Sequence, residues 1–258
     1  MGGWQVPTID SAAMPEPGRP LAIIPAYNEA EAIGATLSEL RSILPEADIL
    51  VVDDGSTDGT ADIVRSHEVA VISLPFNLGI GGALRVGFKW AVRQGYQTAF
   101  QFDADGQHDP AEVPALLAPL QHGADMVVGS RFHEGEPGYT VGRMRQRAMG
   151  SLRVTLRLLV RQSFTDTSSG FRAFNRPLLV FFASNYPAEY MESVEALFLA
   201  CTEGFTVAEI PAKMRLRSAG TPSSRRFRLV YHFLRLYIVL LASVGRRRTV
   251  VGSIQGAA

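Results

Sequence analysis

The sequence predicts an α/β protein with a mostly parallel central sheet, and three observations carry that prediction. A short apolar run, a polar loop and a helix-period segment follow one another three times, with the runs at Leu21–Ile24, Ile49–Val52 and Val69–Leu74. Such alternation marks parallel strands joined by helical crossovers. A fourth apolar run, residues 98–102, ends in Asp103-Ala104-Asp105-Gly106-Gln107-His108-Asp109-Pro110. These polar segments follow strands, which is where parallel sheets form their ligand crevice. Finally, 258 residues with 47% apolar and 19% charged side chains can bury the core of one large α/β domain.

The first strand runs into Pro25-Ala26-Tyr27-Asn28-Glu29, and a helix is expected from about Glu29 to Leu44 because Ile33, Leu37, Leu40 and Leu44 share one face. The second strand ends in Asp53-Asp54-Gly55-Ser56-Thr57-Asp58-Gly59-Thr60 before a helix over Ala61–Arg65. Asn77-Leu78-Gly79-Ile80-Gly81-Gly82 follows the third strand and opens a helix to about Arg93. A dinucleotide fingerprint would need glycine at Leu84 and a place after the first strand, so these glycines are expected to allow close backbone approach instead. Beyond the acidic loop come a helix from about Pro110 to His122 and a strand over Asp125–Val128 that leads into Gly129-Ser130-Arg131-Phe132. Thr165 to Arg172 reads as a loop too polar for the core. Helices around 176–183 and 190–203 and a strand over Phe205–Ile210 complete the domain.

Charge divides the chain. Residues 1–130 hold 6 Lys and Arg against 17 Asp and Glu, net −11, whereas residues 131–258 hold 19 against 8, net +11. A basic second half suits phosphate groups, an anionic membrane surface or nucleic acid. No helix-turn-helix or RNA-binding motif accompanies it, so no nucleic-acid partner is expected. The single cysteine, Cys201, has no internal disulfide partner and points to a reducing compartment. Residues 1–20 contain four prolines and no apolar run, and read as a disordered leader rather than a signal peptide. Residues 225–258 read as a basic amphipathic helix and tail. Arg228, His232 and Arg235 interrupt the apolar stretch Phe227–Val244, and Arg246-Arg247-Arg248 follows it, so this segment is expected to lie on an anionic membrane surface without crossing it.

Asp103 and Asp105 leave the fourth strand two residues apart, so alternation sends both carboxylates to one side. Two such groups stay ionised together only with a cation or water between them. Their hard oxygens suit Mg2+ or Mn2+, which keep positions open for phosphate. A calcium loop is excluded, since its sixth and twelfth positions would be His108 and Pro114. A plain solvated turn accounts for the motif taken alone.

Taken in order, these motifs resemble the inverting family 2 glycosyltransferases of GT-A fold, a Rossmann-like nucleotide-sugar-binding architecture, over residues 21–224. Ile24–Glu29 resembles the first donor loop, Val51–Thr60 the second, and Asp103-Ala104-Asp105 the metal-binding triplet. Asp103–His108, Gly129–Phe132, Ser169–Arg172 and Arg217–Gly220 are most similar to the polyprenyl-phosphate sugar synthases of the dolichol-phosphate mannose synthase type. The resemblance implies a nucleotide-diphosphate sugar donor, a polyprenyl phosphate acceptor and Mg2+ or Mn2+ held by Asp105, with Asp103 and Gln107 in support. It places Pro25, Ala26, Tyr27, Glu29, Val52, Asp53, Asp54, Gly82, Asp103, Ala104, Asp105 and Gln107 at the donor. At the acceptor phosphate it places Arg131, Arg147, Ser151 and Arg217, of which Arg131 and Arg217 count with Asp103 and Asp105 as catalytic. It also implies a cytoplasmic enzyme peripheral on the inner face of the membrane, with homo-oligomerisation open. Two other readings stand beside it. A hydroxyl acceptor on a glycan would need a general base, for which Glu192 or Glu195 is available. A non-catalytic nucleotide-sugar or lipid-binding protein would keep the fold without turnover.

Overall fold

A computed structural model describes residues 18–132, 157, 162–187 and 192–215. Its strands are β1 (Leu21–Ala26), β2 (Asp48–Asp53), β3 (Ala70–Ser73), β4 (Thr98–Gln101), β5 (Met126–Ser130), β6 (Arg172–Asn175) and β7 (Val207–Pro211). Its helices are α1 (Ile33–Ile43), α2 (Thr60–Ser66), α3 (Ile80–Gln94), α4 (Val113–Leu117), α5 (Arg176–Asn185) and α6 (Glu192–Thr202). The strands form one sheet in the order β3-β2-β1-β4-β6-β5-β7. Pairings of β1 with β2 and β4, of β2 with β3, and of β5 with β7 are parallel; β6 alone runs against its neighbours β4 and β5. The α/β class and the mostly parallel sheet are therefore as the sequence predicts. Of the expected leader, residues 18–20 are described and held against the domain, with Arg19 Nε donating to Asp48 Oδ1 at 2.8 Å and the Asp48 N–H donating to the Pro20 carbonyl at 3.0 Å; residues 1–17 and the expected C-terminal helix lie outside the described residues.

Alternation along the strands supplies two cores. In β1, Leu21 and Ile23 face α3 and α5, while Ala22 and Ile24 face α1, and all four are fully buried. The first core gathers Phe88 of α3, Phe174 of β6, Phe182 of α5 and Tyr186, with ring centroids 5.0–5.9 Å apart. The second packs Ile33, Leu37 and Leu40 of α1 with Val51, Phe100 and Val113. Full burial of such side chains stabilises by about 1.5–3 kcal/mol each. Contact between α3 and β1 is close enough that a Cβ on Gly87 would run into Ile23 Cγ2. Gly87 of α3 thus serves helix–sheet packing.

Two elements differ from the sequence reading. The helix expected over 110–122 is three short pieces, a 3-10 turn at Pro110–Glu112, then α4, then a second 3-10 turn at Ala118–His122. Pro114 and Pro119 each lack a donor and sit in the first turn of a new segment, so no single ladder can run through. The second difference is β6, which grows out of the segment read as a polar loop. Asp166, Thr167, Ser169 and Arg172 of that segment are all at most 2% exposed. Hydrogen bonds offset much of the cost of that burial: the Arg172 guanidinium donates to the carbonyls of Ser193 at 2.6 Å and Thr167 at 3.2 Å, although its buried Nε has no partner among the described residues.

Candidate active site

Parallel pairing brings the loops after β1, β2, β3 and β4 to one edge of the sheet. The first two are laced into one unit. Asn28, at φ 53°, donates its N–H to Ser56 Oγ and accepts from the Thr57 N–H through Oδ1, each at 2.9 Å. The N–H of Glu29 donates to Thr60 Oγ1 at 2.9 Å, and that of Ala30 to Asp58 Oδ2 at 3.0 Å. Hydrogen bonds from Thr60 and the Ala30 amide hold the Asp58 carboxyl below its ordinary pKa against the opposing effect of burial.

Asp53 and Asp54 are both 3% exposed. Asp53 Oδ1 accepts from the Ser56 N–H at 3.1 Å, closing the turn. Asp54 reaches the third loop, where its two carboxylate oxygens accept the N–H groups of Leu78 at 2.7 Å and Gly79 at 2.8 Å. Burial nevertheless pushes its pKa up, ahead of the lowering by those two amides. Asp54 therefore ties the second loop to the third. Gly55, at φ 75°, completes this junction, because a Cβ there would lie 2.9 Å from the Phe76 backbone. Tyr27 of the first loop is 47% exposed. Gly82, expected at the donor, is buried under Leu78, whose Cβ would lie 2.5 Å from an added methyl.

The acidic loop lies after β4. Regular pairing of β4 stops at Gln101, although the Phe102 N–H still donates to the Ile23 carbonyl at 3.1 Å. Strand alternation thus does not place the two acids. A tight turn does, with Gly106 at φ 75° and Asp105 Oδ1 accepting the Gln107 N–H at 3.0 Å. Asp105 is 7% exposed, and the Asp103 side chain 30%. Gln101 Nε2 donates to Asp103 Oδ1 at 3.3 Å, and a Cβ on Gly170 would come 3.3 Å from Asp103 Oδ2. His108 is buried between the rings of Phe102 and Phe171, with Asp103 Oδ2 at 3.4 Å from its Nε2. Burial lowers its pKa and outweighs the opposite pull of both Asp103 and Asp105. Two carboxylates and the Gln107 amide make a small, hard, all-oxygen donor set, which fits Mg2+ or Mn2+. Among the described residues no group of three or more His, Cys, Asp or Glu is arranged to hold a metal, so the donor's phosphates would supply the remaining ligands.

On the other side of the acidic loop, the structure gives Arg131 a partner that sequence does not indicate. Its Nε and Nη2 donate to the two oxygens of Asp166 at 2.6 and 2.9 Å, and Nη2 also donates to Ser168 Oγ at 2.8 Å. Asp166 is fully buried, yet hydrogen bonding and charge from Arg131 outweigh that burial and hold its carboxyl below the ordinary range. Glu209 of β7 fixes this turn by accepting the N–H groups of Thr165 and Asp166 at 2.8 Å. Glu192 is 6% exposed at the start of α6; burial raises its pKa against the hydrogen bond from Ser193 and the nearby charge of Arg172. Arg147, Ser151 and Arg217 lie outside the described residues. His108, Asp166 and Gln101, absent from the expected site residues, prove to support it. A polar residue at a strand end or inside a helix-free polar stretch is the one hint that the sequence carries.

Residues 21–181 match the glycosyl transferase family 2 domain. The chain is 35% identical over 211 residues to the undecaprenyl-phosphate mannosyltransferase of Micrococcus luteus, covering 78% of this chain and 86% of that one. It is 32% identical over 222 residues to the polyprenol monophosphomannose synthase of Mycolicibacterium smegmatis, covering 82% and 83%. In fold it is similar to glucosyl-3-phosphoglycerate synthase from Mycobacterium tuberculosis in complex with uridine diphosphate, at TM-score 0.69, 20% identity and 95% and 88% coverage. The same enzyme in complex with Mn2+, uridine diphosphate and phosphoglyceric acid aligns at TM-score 0.67 and 22% identity, over 90% and 81% of the two chains. The GT-A arrangement expected from the motifs is thus the observed one. This chain belongs to glycosyl transferase family 2, and it is a hexosyltransferase.

Proposed function

We propose that the enzyme transfers a hexose from a nucleoside-diphosphate sugar to a polyprenyl phosphate, with inversion at the anomeric carbon and dependence on a divalent cation. The observation that carries this reading is the Asp103 and Asp105 pair, set by a tight turn at the carboxyl edge of β4 beside the loops that line the donor crevice. The two curated relatives described above support the lipid acceptor, because both are named for polyprenyl phosphates. A divalent cation bound at Asp105, with Asp103 and Gln107, would neutralise charge on the departing diphosphate.

The residues do the rest. Tyr27 would meet the donor, while Asp53 and Asp54, which accept the Ser56, Leu78 and Gly79 amides, would hold the loops around it. A lipid phosphate is already anionic at neutral pH, so its oxygen attacks the anomeric carbon as the bond to the diphosphate breaks and the electron pair leaves on the β-phosphate. No proton has to move. The acceptor needs orientation, which Arg131, Arg147, Ser151 and Arg217 would provide by charge-assisted hydrogen bonds. No helix among the described residues is long and apolar enough to cross a membrane. Residues 227–248 would bring the enzyme to the cytoplasmic face of the bilayer where its acceptor resides.

The test is a panel of radiolabelled UDP-, GDP- and dTDP-hexoses with purified protein, Mn2+ and a short polyprenyl phosphate. Label should enter the organic phase, stop with chelator and fall by orders of magnitude in Asp105→Ala. The anomer of the product, read by NMR, should be opposite to that of the donor. Label that enters only a water-soluble glycan, or transfer that persists in excess chelator, would overturn the acceptor or the metal assignment respectively.

A further inference from the structure

We propose that His108 is a positioning residue for the cation site, holding the Asp103 carboxylate in its ligating orientation through Nε2–H. The inference rests on the metal-dependent reading above. Its basis is a closed set of contacts between the two residues. The backbone N–H of Asp103 donates to His108 Nδ1 at 3.0 Å. That nitrogen must therefore present a lone pair, and in the neutral ring the proton sits on Nε2. Nε2 in turn faces Asp103 Oδ2 at 3.4 Å. The other carboxylate oxygen accepts from Gln101 Nε2 at 3.3 Å. Gln101 thus donates to one carboxylate oxygen, and the Nε2 edge of the His108 ring lies against the other.

The surroundings make the imidazole hard to explain as filler. Its ring lies between Phe102 and Phe171, with centroids 5.4 and 4.7 Å away, and its side chain is 2% exposed. A leucine or phenylalanine would fill such a slot without the cost of burying two ring nitrogens. What only the imidazole adds is an acceptor for the Asp103 amide and a polar Nε2 edge 3.4 Å from the Asp103 carboxylate. The ring is also held by its own backbone, because residue 108 bridges Met214 and the Arg215 N–H donates to the Gln107 carbonyl at 2.8 Å. Donors that orient a ligating carboxylate in this way typically change metal affinity about 10–100-fold when removed.

Two substitutions separate the ring nitrogens. His108→Gln places an amide near the Nε2 position and keeps the donor to Asp103, whereas His108→Asn places one near Nδ1 and withdraws that donor. Mn2+ is titrated into the purified full chain, alone and with UDP or GDP, and free Mn2+ is read by electron paramagnetic resonance; thermal melting checks that both variants fold. The expected result is an Mn2+ dissociation constant raised about tenfold or more in His108→Asn and restored to within about threefold of wild type in His108→Gln. Equal weakening in both, with equally lowered melting temperatures, would mean that the ring only fills space and would overturn the proposal. Unchanged Mn2+ binding in His108→Asn would overturn it as well. If wild type itself binds no Mn2+ and transfers sugar in chelator, the metal reading fails first, an outcome distinct from a wild type that binds and a variant that does not differ.

Discussion

Replacing Asp166 tests how the site holds Arg131. The carboxylate accepts five hydrogen bonds: from Arg131 Nε at 2.6 Å, Nη2 at 2.9 Å and N at 3.2 Å, and from Ser168 N at 3.1 Å and Oγ at 3.2 Å. Removing one partner of a buried ion pair costs about 3–5 kcal/mol. Arg131 remains 20% exposed and can recruit water, so Asp166→Asn, which keeps one acceptor oxygen, should cost about 2–3 kcal/mol at neutral pH. Urea unfolding followed by tryptophan fluorescence measures this. The pH dependence supplies a second check. The folded Asp166 carboxyl is held below its ordinary value, so its contribution is fully present above the unfolded pKa of about 4 and is lost as pH falls through the lower folded value. The stability gap between wild type and Asp166→Asn should therefore stay constant from about pH 8 to 5 and narrow below about pH 4. A cost under about 0.5 kcal/mol at pH 7, as for an exposed pair, would refute the reasoning. So would a gap that widens on acidification.

Three further outcomes are expected. Gly87→Ala drives a methyl into Ile23 and should destabilise by about 1–3 kcal/mol in the same unfolding assay, with little change in KM for the donor if the protein is folded. Arg217→Lys keeps the charge but loses the planar fork, so steady-state kinetics should show a raised KM for polyprenyl phosphate and an unchanged KM for the nucleotide sugar; identical acceptor kinetics would move the acceptor site elsewhere. Deleting residues 227–258 should weaken cosedimentation with anionic liposomes, and binding by the intact chain should fall with salt; a folded deletion that binds equally well would remove this segment from the membrane contact.

The sequence alone determined the order of the strands as far as β5 and of the helices between them up to α3, and the polar residue types that gather at the strands' carboxyl ends. Those features are short-range: apolar periodicity reports burial over a few residues, and Asp-x-Asp after an apolar run reports a strand end with two hard ligands. It also located the acidic and basic halves. It did not contain what the sheet decided. β6 inserts antiparallel between β4 and β5 and opposes Gln101 to Arg172, a pairing that no local period encodes. Asp166 meets Arg131 across 35 residues, and Asp54 meets Leu78 across 24, because neighbouring strand ends bring their loops together. The helix expected over 110–122 failed for a local reason, its two prolines, which apolar periodicity alone overlooks. His108 stands between these cases. Its place beside the two acids is written in the chain, but its burial between Phe102 and Phe171 follows from β6 and the bridge to Met214, and only that enclosure fixes its ring against Asp103.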